Sequence, residues 1–222
     1  MIADNLQKIL STVRPGVRLV AVSKYQPIEA LQEAYDTGQR VFGESHVQEL
    51  VAKEQALPKD IEWHFIGHLQ TNKVKYMASF VSLIHAVDSV KLLREIDRQA
   101  ARTGRMIRCL LQIHVAQEDS KYGFAADELR EMLKEGGWRQ LHHVQLCGLM
   151  CMASNTDDEE QIAAEFTLVC NLFHEIKEEY FPSDECFREL SMGMSGDYMI
   201  AQQCGSTMVR IGSLIFGERQ YQ

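Results

Sequence analysis

The stretch Arg18-Leu19-Val20-Ala21-Val22-Ser23, running straight into Lys24-Tyr25-Gln26-Pro27, decides the fold. Its apolar, partly β-branched residues end at turn-forming ones and read as a strand buried on both faces, as in parallel sheets. The segment that follows lacks the G-x-G-x-x-G turn of an open, doubly wound dinucleotide fold. Pro27 is suited to open a helix, and Ile28, Leu31 and Tyr35 then recur at helical spacing. A strand that feeds a helix in this way, without the glycine turn, favours a closed barrel over an open sheet.

The same rhythm continues outward along the chain. Further strand candidates are Arg40–Gly43, Glu62–Gly67, Ser82–Val87, Ile107–Val115, Gln145–Met150, Phe187–Ser191 and Met208–Gly212. With the first they make about eight, the number that closes a parallel barrel. Helical spacing recurs at Val47, Leu50, Val51 and Glu54, and at Leu92, Leu93, Ile96 and Ala100. The longest pattern, Ile162 to Ile176, is entered through Ser154-Asn155-Thr156-Asp157-Asp158, which offers caps and first-turn carboxylates. The expected fold is therefore α/β, a single (β/α)8 TIM barrel over residues 1–222.

The composition fits this fold and excludes several function classes. Of 222 residues, 45% are hydrophobic and 24% charged, the make-up of an ordinary globular protein. A net charge of −8 argues against nucleic acid as a partner. No apolar window approaches the roughly 20 residues of a membrane span, and the N-terminus lacks the apolar centre of a signal peptide. A cytoplasmic protein is expected. Cys109, Cys147, Cys151, Cys170, Cys186 and Cys204 form no C-x-x-C pair and read as reduced thiols. With no H-E-x-x-H either, no metal site is expected.

In such a barrel the chemistry sits at the carboxyl ends of the strands. Those ends carry Ser23-Lys24, Gly43-Glu44-Ser45-His46, Gly67-His68-Leu69-Gln70, Asp88, His114, Met150, Ser191 to Ser195, and Gly212-Ser213. The last two are the most telling. Loops after the seventh and eighth strands commonly bind phosphate through backbone N–H groups; Gly193, Gly196 and Gly212 let the backbone approach, and Ser195 and Ser213 add hydroxyls. Each glycine alone reads as a turn; together they point to an anion. Lys24, at the first strand end, shares an apolar mouth with Arg210. Partial desolvation and a cationic neighbour would both favour its neutral, nucleophilic amine. A Schiff-base lysine facing a phosphate cup points to pyridoxal 5′-phosphate (PLP).

These segments resemble a known family, the pyridoxal phosphate homeostasis proteins, relatives of the barrel domain of alanine racemase. The matching stretches are Val20–Lys24, Phe42–Glu44 with Val47–Glu49, Trp63–Lys73, Glu118–Phe124, Gly148–Met150, Ser191–Asp197, and Gly205–Ser213 with Phe216-Gly217. The resemblance implies a fold-type III PLP barrel without the C-terminal β domain of alanine racemase. It implies that Lys24 carries PLP as a Schiff base, that Ser195, Gly212 and Ser213 hold its phosphate, and that Arg210 faces the pyridine nitrogen. Ser45, His68 and Met150 are expected to complete the site. Ser45-His46 stands where the family commonly has Asn-Tyr, and Ser213 where it often has threonine.

PLP is the best electron sink with a protonated ring nitrogen. A guanidinium cannot accept that proton, so Arg210 points away from strong carbanion stabilisation. The chain also ends about ten residues after Gly212, leaving no room for the domain that supplies the racemase's second base. The expected function is a PLP carrier in intracellular PLP homeostasis, affecting amino-acid and keto-acid balance, with no firm catalytic residue. Expected partners are PLP and PLP-dependent or B6-pathway enzymes; a monomer or weak dimer is expected. The alternatives are an amino-acid racemase or lyase with Lys24 as sole base, and a cofactor-free isomerase with Glu44 as base. Histidines within strands, His64 and His85, are expected to be neutral and hydrogen-bonded.

Overall fold

The computed structural model describes residues 1–116 and 122–217. Eight parallel strands close into a barrel in chain order: β1 (Arg18–Val22), β2 (Val41–Glu44), β3 (Glu62–Phe65), β4 (Leu83–Val87), β5 (Ile107–His114), β6 (Val144–Met152), β7 (Glu189–Ser191) and β8 (Met208–Ile211). Closure is made by β1 on β8, with Leu19 opposite Val209 and Ala21 opposite Ile211. The eight apolar runs are the eight strands.

Around them lie α1 (Ile2–Thr12), α2 (Ile28–Asp36), α3 (Val47–Ala56), α4 (Val90–Arg102), α5 (Ala126–Glu135), α6 (Glu159–Tyr180), α7 (Tyr198–Gln203) and α8 (Ser213–Phe216). A 3-10 helix, Thr71–Tyr76, makes the crossover from β3 to β4. Pro27 caps α2 from outside with extended backbone instead of opening it. Asp158 caps α6 as its sequence suggests, accepting from the amides of Glu160 at 3.0 Å and Gln161 at 3.1 Å. No helix among the described residues is long and apolar enough to cross a membrane.

Strand alternation separates two cores. Outward residues such as Phe42, Phe65, Leu111 and Leu149 pack on the helices. Inward residues Val20, Val41, Leu83, Leu110, Met150 and Met208 fill the barrel itself. On the same inward faces, Arg18 pairs with Glu62 at 2.9 Å and Arg108 with Glu189 at 3.5 Å, forming a charged floor at the strand N-termini.

One irregularity sets the height of β6 in the wall. Cys109 pairs with Leu146 but Leu110 with Gly148, so Cys147 is an inserted residue. Gly148 sits at φ 146°, and a Cβ there would lie 1.8 Å from the Glu189 carbonyl oxygen. Only glycine lets β6 and β7 approach at this point.

Candidate functional site

β1 ends at Val22, and the chain then turns at Ser23, so Lys24 is delivered to the barrel mouth, half-buried. It faces a cavity of about 360 Å³, within the range of small-molecule sites. The structure places Lys24, Ser45, His68, Ser195, Arg210, Gly212 and Ser213 together on its walls. Met150 is elsewhere. It is 1% exposed and packs inside the barrel with Val20 and Met208. The sequence reading ends the sixth strand there, whereas β6 runs on through Cys151-Met152. Met152, on the same face two residues later, is the one that reaches the cavity.

The loops after β7 and β8 form one wall. The Gly193 carbonyl accepts from the Arg210 amide at 2.9 Å, and Ser195 Oγ accepts from the Gly212 amide at 3.3 Å, so the loops are tied to each other. Gly212 packs so closely on β1 that a Cβ would lie 3.0 Å from the Val22 carbonyl oxygen. The amides of Ser195, Gly196 and Ser213 donate to no acceptor among the described residues, and all three residues line the cavity. Unpaired amides on a shared wall form an anion-binding surface.

Arg210 projects inward from β8 and is 4% exposed. One guanidinium nitrogen donates to the Ser191 carbonyl at 2.9 Å and Ser191 Oγ at 2.7 Å; the other donates to the Cys151 carbonyl at 3.0 Å. Its Nε has no partner among the described residues. Burial lowers its pKa from an ordinary value so high that the group stays a cation.

Behind Arg210 a buried chain runs through the barrel. Ser191 Oγ lies 3.0 Å from His85 Nδ1, and His85 Nε2 lies 3.0 Å from His64 Nδ1. Arginine can only donate, but Ser191 Oγ has two lone pairs and one proton, so it can either accept from His85 Nδ1–H or donate to Nδ1, and the His85–His64 bond runs in the matching sense. In either sense His64 Nε2 is buried with no partner among the described residues. Burial, with Arg18 and Arg108 nearby, pushes the His64 pKa down to about 3. Burial, with His64, Arg210 and Arg108 adding to it, holds His85 well below its ordinary value. Both are neutral and hydrogen-bonded, as expected for these positions.

On the opposite flank, His68 Nδ1 lies 3.1 Å from Asp88 Oδ2, and its ring stacks on Tyr122 at 4.0 Å. Glu44, the base of the cofactor-free alternative, is fully buried in the barrel wall and is not among the residues lining the cavity. It cannot reach a ligand there. Within the segment Glu118–Phe124, residues 118–121 lie outside the described residues, while Tyr122 lines the cavity.

The family described as alanine racemase, N-terminal domain, matches residues 1–220. A relative from Pasteurella multocida named pyridoxal phosphate homeostasis protein is 39% identical, covering 99% of this chain and 95% of its own length. One of the same name from Aquifex aeolicus is 37% identical over 99% of this chain and 96% of its own. The chain belongs to the pyridoxal phosphate homeostasis protein family. The structure of PipY from Synechococcus elongatus with PLP bound is 37% identical and superposes with a TM-score of 0.89, covering 98% of this chain and 100% of that one.

Alanine racemase of Clostridium difficile, 14% identical with a TM-score of 0.75, shares the fold; all of this chain corresponds to 56% of the racemase. This chain thus shares its barrel fold with slightly more than half of that racemase chain. Around the cavity, sequence reasoning misses how the groups behind the walls connect: His64 and His85 through Ser191 to Arg210, and Lys53 and Glu49 to the turn that carries Lys24.

Proposed function

We propose that this chain binds PLP in the cavity, joined to Lys24 as a Schiff base, and acts as a carrier in cytoplasmic PLP homeostasis. Residues 1–222 work as one unit, monomeric or weakly dimeric, handing the cofactor to PLP-dependent or B6-pathway enzymes. The observation that carries this reading is the convergence of three complementary groups on one cavity. PLP brings an aldehyde, a phosphate and a basic ring nitrogen. The cavity offers the Lys24 amine, the unpaired amides of Ser195, Gly196 and Ser213, and the unpartnered Arg210 Nε. PipY, with PLP bound, supports the same reading.

Arg210 favours carriage over turnover. A cation that only donates favours an unprotonated ring nitrogen, and the neutral relay behind it has no proton to supply at neutral pH. Among the described residues of this wall, no carboxylate stands where it would make PLP a strong electron sink. Borohydride reduction of protein mixed with PLP should leave one pyridoxyl group on Lys24, identified by peptide mass; Lys24→Ala should lose it yet keep weaker, noncovalent binding. Protein that takes up no PLP, or is labelled elsewhere, overturns the proposal.

The Asp88-held His68 on the cavity wall favours a second reading, amino-acid racemisation or elimination with Lys24 as base. Solvent deuterium uptake into single enantiomers separates the two: rapid exchange lost in Lys24→Ala establishes turnover.

A further inference from the structure

Lys24 sits on a turn whose two flanking residues are both held from outside the turn. Ser23 Oγ donates to Glu44 Oε1 at 2.6 Å, and the Ser23 carbonyl accepts from Lys53 Nζ at 2.7 Å. The Tyr25 amide donates to Glu49 Oε1 at 2.6 Å. Lys53 joins the two halves, donating to Glu44 Oε1 at 2.8 Å and Glu49 Oε1 at 2.6 Å, so its three ammonium protons are all used within the cluster. Tyr25 stands at φ 64°, a left-handed conformation rare for a residue with a side chain. Such backbone persists only where its surroundings over-determine it.

We propose that Glu44, Lys53 and Glu49 are positioning residues, an ion-paired clamp from β2 and α3 that fixes Ser23-Lys24-Tyr25 in the conformation delivering the Lys24 amine to the cavity. The role assigned to Lys24 rests on the PLP reading above; the clamp itself touches no cofactor atom. Two features set it apart from a device for stability alone. Lys53 is 3% exposed and Glu44 fully buried, and a buried ion pair is often no better for stability than packed apolar side chains. Its bonds are also placed on the backbone immediately before and after Lys24.

The clamp serves a condensation in which Lys24 Nζ adds to the aldehyde carbon and two amine protons leave with the carbonyl oxygen as water. The rate of that step depends on where the amine is held, because small misplacements of a reacting group are costly.

The test uses the full chain and the variants Glu49→Ala, Glu49→Gln and Lys53→Met. Glu49 is part-exposed, so Glu49→Ala keeps the test open if Lys53→Met fails to fold. In cofactor-free protein, hydrogen exchange in a peptide spanning 23–26 should quicken about tenfold in Glu49→Ala, the loss of one charge-assisted bond, with β8 unchanged. Capture of PLP, read by borohydride-trapped mass at Lys24, should slow by a similar factor. Glu49→Gln, which keeps an acceptor, should recover most of the rate. Affinity for pyridoxine 5′-phosphate, which has the phosphate but no aldehyde, should not change. Wild-type exchange and capture rates in Glu49→Ala overturn the clamp. Wild-type protein that is never trapped at Lys24 overturns the PLP reading instead, and the exchange measurement still decides the clamp.

Discussion

Two buried polar networks flank the cavity, and they differ in both position and charge. The Glu44–Lys53–Glu49 cluster lies in the wall, between β2 and α3, and acts on backbone. The Arg210–Ser191–His85–His64 chain lies inside the barrel and acts on one side chain that lines the cavity. The first joins opposite charges around a carboxyl that burial pushes up to about 7, with Lys53, Ser23 and Glu49 as the groups facing it. The second holds one fixed cation and two imidazoles kept neutral. A single site is thus supported by a network able to change its proton content near neutrality and by one that cannot.

The largest test of this contrast is Lys53→Met. It strands the Glu44 carboxyl and the Ser23 carbonyl, and removing one partner of a buried pair costs about 3–5 kcal/mol. Denaturant unfolding at pH 8, where Glu44 is ionised, should show a loss of that size. A loss near zero would mean that the wall network is not the charged element described above.

The two networks respond oppositely to acid. Folded Glu44 keeps a proton up to about pH 7, whereas an unfolded glutamate releases it near 4.5. Its contribution is therefore fully present below pH 4.5 and is lost as pH rises through 7. His64 and His85 have depressed values, so their contribution is present above 6.5 and is lost as pH falls. Each linked proton is worth about 1.4 kcal/mol per pH unit. Two histidines outweigh one carboxyl, so these three groups together leave a net loss of stability as pH falls from 6.5 to 4.5. Glu44→Gln should steepen the acid loss in that window, the opposite of what deleting an ordinary surface carboxylate does.

The cup between the networks should follow neither. Ser195→Ala and Ser213→Ala should each weaken PLP binding by about 1.5–3 kcal/mol, one hydrogen bond to a charged group; Ser213→Ala should leave stability almost unchanged, and Ser195→Ala, which also removes the acceptor of the Gly212 amide, should cost about 1 kcal/mol. Isothermal titration checks both, and full affinity in both variants would place the phosphate elsewhere.

What the sequence made legible follows from how local each signal is. The strands could be read because burial on both faces leaves uninterrupted apolar runs. That Lys24, Ser195, Arg210, Gly212 and Ser213 share one cavity wall is legible because each lies in or next to a strand end, where barrel geometry dictates the direction. Met150 was misread because Cys151-Met152 continues the apolar run past the expected end. Lys53 and Glu49 were hidden for a different reason: four residues apart on a helix, they have the spacing of an ordinary solvated pair, and only packing against β2 shows otherwise. The Ser191–His85 bond joins residues 106 positions apart, beyond any local pattern.

The smallest expected effect is the sharpest probe of the inner chain. His64→Leu removes a buried Nε2 that has no partner among the described residues and leaves His85 Nε2 in the same condition, exchanging one unpaired group for another. Stability at pH 7.5 should therefore change by only about 1 kcal/mol, one ordinary hydrogen bond. Its acid sensitivity should change more, because one of the two histidines that must stay neutral is gone. Between pH 6.5 and 4.5 the variant should lose about 1.4 kcal/mol less per pH unit than the parent. An unaltered slope would show that His64 takes up its proton in the folded barrel, against the burial and the nearby Arg18 and Arg108 that push its pKa down.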